Sequence, residues 1–127
     1  MGAFGRTLIV VLEDSRARFL RREDAGQFAE AMPAVSVGPH SGNGGASAED
    51  RTERRRKFLK AAMTALDEAC DGSECDRLIA VGPERMLSAF RKAASDKVRV
   101  RLWREAAAEV SDLSDGELEQ RLAPHFR

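Results

Sequence analysis

Two short runs, Thr7–Leu12 (TLIVVL) and Arg77–Val81 (RLIAV), are apolar at consecutive positions rather than at alternate ones. A strand with one wet face alternates polar and apolar side chains, whereas a continuous apolar run belongs to a strand covered on both faces. Both runs therefore belong in the middle of a sheet. The long stretch between them includes a helical pattern, and a helical crossover makes the two strands parallel neighbours.

The remaining segments arrange themselves around this pair. Glu13-Asp14-Ser15 is a turn signal, with Asp14 able to cap its own backbone. Ala17–Arg22 reads as a returning antiparallel strand, Asp24-Ala25-Gly26 as a second turn, and Gln27–Met32 as a weaker third strand. Pro33 and Pro39 then lead into a glycine-rich loop at about 38–47, followed by a long helix at about 48–71. Ser47 and Asp50 have capping-box spacing at its start, and Gly72 is a stop signal. Phe58, Leu59, Ala62, Met63, Leu66, Ala69 and Cys70 follow the three-and-four spacing of one buried face. One and two turns earlier the same face presents Arg55, Thr52 and Arg51. Burying unpaired guanidinium groups is costly, so the first two turns are expected to overhang the core and project into water.

Pro83 opens a further helix with Met86, Leu87, Phe90 and Ala94 inward, while Val98, Val100 and Leu102 alternate with Arg99, Arg101 and Trp103 as a half-buried edge strand. Glu105–Val110 has helical propensity without a helical pattern. Ser114-Asp115-Gly116-Glu117 is a capping box, Leu118 and Leu122 face inward behind it, and Pro124 ends that helix. The expected fold is α/β: a single domain over 1–127 with a five-stranded mixed sheet of order 3-2-1-4-5, helices packed on it, and ribonuclease-H-like architecture.

Composition narrows the chemistry. The 127 residues carry 21 basic and 21 acidic side chains, so any attraction to a polyanion must be local. The local excess is Arg51, Arg54, Arg55, Arg56, Lys57 and Lys60 against Glu53 alone. Metal-dependent nuclease action is not expected, because neither apolar run carries a carboxylate in its middle. No metal site or cofactor is expected: Cys70 and Cys75 are the only cysteines and lack redox or zinc spacing. The glycine loop has no Lys after its glycines, which excludes the phosphate-binding nucleotide loop. His40 beside that loop is the one weak catalytic candidate, as a general base with glycine amides as an anion hole. Trp103 either stacks on a base or is covered by a helix. TLIVVL is too short for a signal core or membrane span, so no membrane insertion is expected and the cytoplasm is the default location.

Several motifs together resemble a known family. Arg16-Ala17-Arg18-Phe19-Leu20 after Asp14, the glycine loop before a charged helix, Asp76–Val81, and Leu113–Leu118 occur in the order seen in bacterial host-attachment proteins. That resemblance implies a part in attachment to host cells and no mechanism. Gly44-Gly45-Ala46-Ser47-Ala48, followed by Arg51, Arg54, Arg55 and Phe58, is similar at a greater distance to the central domain of archaeo-eukaryotic peptide release factors. There a Gly-Gly-Gln loop leads into an Arg-rich helix and reaches the peptidyl-transferase centre. Here Ala46 takes the place of the glutamine and offers no side-chain hydrogen bond, so the same peptide-release chemistry is not expected. The resemblance implies a non-catalytic binder of ribosomal or other structured RNA, with Gly42, Gly44 and Gly45 allowing close backbone approach. Arg51, Arg54, Arg55, Arg56, Lys57 and Lys60 would then meet phosphates. A protein-interaction module in attachment and a hydrolase or ribosome-rescue activity are the alternatives, and a protein partner would belong to the first.

Overall fold

A computed structural model describes residues 7–13, 16–22, 27–36, 48–71 and 76–126. The strands are β1 (Thr7–Leu12), β2 (Arg16–Arg22), β3 (Phe28–Ser36), β4 (Arg77–Gly82) and β5 (Leu102–Ala107). The helices are α1 (Ala48–Asp71), α2 (Glu84–Ala93), α3 (Asp96–Arg101) and α4 (Asp115–Leu122), with 3₁₀ turns at Val110–Asp112 and Ala123–Phe126. One sheet of order β3-β2-β1-β4-β5 results, the order expected from the two apolar runs. β1 pairs antiparallel with β2 and parallel with β4, with Ile9 opposite both Leu20 and Ile79.

The continuous apolar runs serve both faces. Leu8, Val10, Leu12, Leu78 and Ala80 meet Phe58, Ala62 and Leu66 of α1, with Met86, Leu87 and Phe90 of α2. Ile9, Val11, Ile79 and Val81 meet Leu118 and Leu122 of α4. Phe58 is completely buried, a burial that stabilises by about 1.5–3 kcal/mol. Every residue of the expected α1 face is buried, from Phe58 to Cys70. Ser114 and Glu117 form the expected capping box, and the last helix ends at Leu122 before continuing through Pro124 as a 3₁₀ turn. Ser47, Gly72 and Asp14, with the roles expected of them, lie outside the described residues.

Three segments differ from expectation. β3 runs on through Pro33 to Ser36. It is an edge strand, and between the pairs Phe19–Met32 and Ala17–Val35 it carries an extra residue, so Pro33 sits where a missing N–H is tolerated. Val98–Arg101 is not strand but the end of α3, started by Ser95, whose Oγ accepts from Val98 N at 3.3 Å. The alternation there is real but short, and the cap prevails: Val98 is buried and Val100 is 78% exposed. The edge strand is instead Leu102–Ala107, in which Ala and Glu occupy strand positions because β4 offers a complete ladder.

Gly82 ends β4 under a close contact. A side-chain carbon there would lie 2.7 Å from the Leu12 carbonyl oxygen and 2.9 Å from Leu12 Cβ. Its own carbonyl accepts from Ala108 N at 2.9 Å, which fixes the chain leaving β5.

Candidate nucleic-acid interface

The sequence places six cations on the first half of α1, and the fold separates them. Arg55, Arg56 and Lys60 line one side of an open groove of about 650 Å³ between α1 and α2. Lys57 is exposed but does not line it. Arg54 is half-buried, one turn before Phe58, and its Nη2 is fully buried without a hydrogen-bond partner among the described residues. Arg51 falls within the helix. The first two turns therefore do not simply project into water: Arg54 and Arg55 are both half-buried, while Thr52 and Glu53 are exposed. Their long aliphatic stems can cover apolar surface, and at Arg54 part of the head group is buried with the stem.

The groove's other wall is α2, which supplies Ala89, Lys92 and Ala93. Lys92 was not among the sequence candidates. Its floor is Leu59 and Met63, only 5% and 6% exposed. Among the described residues Asp67 is the one carboxylate lining the groove, and its Oδ1 accepts from Ser95 Oγ at 2.7 Å. Arg56 pairs with Glu53 at 3.2 Å. Arg55, Lys60 and Lys92 have no carboxylate partner among the described residues. Three uncompensated cations thus line a channel with one acid, already engaged.

The glycine loop with Gly42, Gly44, Gly45, Ala46 and the candidate His40 lies outside the described residues. Among the described residues no group of His, Cys, Asp and Glu could hold a metal ion, and no helix is long and apolar enough to cross a membrane. Cys70 is buried as a free thiol.

Trp103 is not covered by a helix. It is the extra residue of a bulge, since Leu78 pairs with Leu102 and Ile79 already with Arg104. It is 36% exposed, with the Arg77 and Arg104 guanidinium carbons 3.9 and 4.6 Å from its ring centroid. These contacts stiffen the strand edge.

On the sheet's other face α4 is tied to β2 and β3. Arg18 forms a two-pronged pair with Asp115 at 2.9 and 3.3 Å, and Phe28 N donates to Glu119 Oε2 at 2.8 Å. The hydrogen bond from Arg18, helped by its charge, holds the Asp115 carboxyl below the usual carboxylate range, and the same pair raises Arg18. Glu117 is also lowered, by the backbone N–H and then the side chain of Ser114.

Solved structures share this architecture, two of them as follows. One is an archaeal protein, with a TM-score of 0.54 and 9% identity. The other is the archaeal translation termination factor aRF1, with a TM-score of 0.55 and 10% identity. Each match covers 95% of this chain but only 38% and 39% of the other, so the chain spans about two fifths of their length. At such identities the likeness is one of fold, and it defines a release-factor-like α/β domain. Residues 22–122 match the family model of bacterial archaeo-eukaryotic release factor family 12, and the chain belongs to that family. None of the curated proteins matches it in sequence.

Proposed function

We propose that the protein is a non-catalytic binder of ribosomal or other structured RNA, with the groove-lining cations Arg55 and Lys60 of α1 as its contact surface and the glycine loop as its tip. The observation that carries this reading is the set of uncompensated cations, Arg55 and Lys60 with Lys92, in a chain of a release-factor family. Unpaired cations cost nothing to strip from an internal partner, and each phosphate they neutralise releases condensed counterions. Gly42, Gly44 and Gly45 are proposed to let the tip approach RNA closely, and Ala46 has no side-chain group with which to position an attacking water as a glutamine there would. A role for His40 as a hydrolytic base, or a protein-interaction role in attachment to host cells, has no observation among the described residues behind it.

Sedimentation of the tagged protein with ribosomes from its own lysate tests the reading. Co-migration at low salt, lost at raised salt and abolished by Arg55→Glu with Lys60→Glu, is the expected result. Migration at the top of the gradient at both salt concentrations removes the ribosome from the proposal.

A further inference from the structure

We infer that the groove between α1 and α2 is the track for a single RNA strand, whose phosphates lie on Arg55 and Lys60 from one wall and Lys92 from the other. This rests on the RNA-binding reading above and adds a path and a residue to it.

The charges of the groove favour a polyanion. Among the described residues, three of its cations lack a carboxylate partner and come from two helices, whereas its fourth, Arg56, is already held by Glu53. Arg55 and Lys60 stand in successive turns of α1, so cations recur along the length of this wall. Its shape favours a thin backbone. The α2 wall opposite offers Ala89 and Ala93, which leave room for close approach, and Lys92 stands between them. The floor does not favour a protein helix, because Leu59 and Met63 are almost closed by their own neighbours and leave little apolar surface to cover. Among the described residues no aromatic side chain lines the groove, so bases have no stacking platform there and the strand is read by its phosphates, whatever its sequence. Lys57, although exposed and unpaired, stands outside the track.

The probe is a labelled RNA hairpin with a single-stranded uridine tail, titrated with the full chain by fluorescence anisotropy over a range of salt. Lys92→Gln is expected to weaken binding about tenfold and to reduce the salt slope by about 0.7, the value for one phosphate contact on a single strand. Lys57→Gln should leave both nearly unchanged. An adenosine tail should bind as the uridine tail does, and removal of the tail should cost most of the affinity. Lys92 is exposed, so circular dichroism of Lys92→Gln should match the parent.

Wild-type protein that binds neither the hairpin nor ribosomes overturns the RNA reading itself. Binding that Lys92→Gln leaves intact, or that Lys57→Gln weakens as much, overturns the groove while the RNA reading stands. A tail-less hairpin that binds equally well replaces the strand with a duplex. Equal competition by polyglutamate of matched charge marks the groove as a surface for acidic protein, and the track is then wrong.

Discussion

Arg54 and Arg55 are adjacent in sequence and do different things. Among the described residues, Arg55 lines the groove without a carboxylate partner, while Arg54 turns a guanidinium nitrogen into a buried position where no acceptor meets it. An unsatisfied buried donor costs about 1–3 kcal/mol, and the aliphatic stem is the part that packs. Arg54→Met keeps the stem and removes the orphan nitrogen, so it should raise the urea midpoint by the equivalent of about 1 kcal/mol. Arg54→Glu places a carboxylate there and should lower it. A Met variant less stable than the parent would show that the guanidinium finds a partner in solution. The spacing did not contain this division: carried backwards, the buried stripe gave Arg55, four residues before Leu59, while Arg54 stands in the same relation to Phe58, so both arginines border it. Lys92 could not be found from spacing either. It belongs to a different helix, and a groove is a property of two helices packed together.

Among the elements, β4 is paired along both edges. It lies between β1 and β5, and its last residue must be a glycine because Leu12 already fills the space a side chain would need. Both obstructing atoms belong to a central strand, so neither can move aside cheaply. Gly82→Ala should therefore destabilise by about 1–3 kcal/mol, the usual cost of overpacking, seen as a lower denaturant midpoint with an unchanged slope. A neutral outcome would mean that β1 and β4 separate at this end in solution. The central strands and α1 were legible because continuous apolar runs and a long three-and-four stripe each admit one placement. β5 was not. Val98, Val100 and Leu102 alternate like a strand, and the competing signal was a single capping serine at Ser95. The strand that did form is built partly of alanine and glutamate, so tertiary pairing, not local preference, put it there. Trp103 followed the same displacement and came to lie at a bulge between two arginines instead of beneath a helix.

For the molecule as a whole, the sheet has unequal covers. Three helices lie over one face, and α4 with its flanking turns over the other, tied down by Arg18–Asp115 and by Glu119. The Asp115 and Glu117 carboxyls are lowered by folding, so their contribution is complete above the ordinary carboxylate range and disappears as the pH falls through their depressed values. Stability should be flat from neutral to mildly acid pH and drop below that range. Asp115→Asn should cost less than about 1 kcal/mol at neutral pH, since Asp115 is 66% exposed, and should make the acid drop shallower. Urea midpoints measured against pH for the two proteins check this, and parallel curves would remove the ion pair from the acid response.

The position of β1 has a further consequence during synthesis. Its antiparallel partner β2 follows it immediately, but its parallel partner β4 emerges only after the whole of α1. A nascent chain can close the β1–β2–β3 meander on its own, whereas the other edge of β1, with Leu8 to Leu12 and its ladder groups unpaired, must wait. An apolar open edge is a template for any strand of matching pattern, and the β4 of a neighbouring nascent chain matches by construction. Until that distant strand arrives, this edge stays open to domain-swapped pairing and to aggregation.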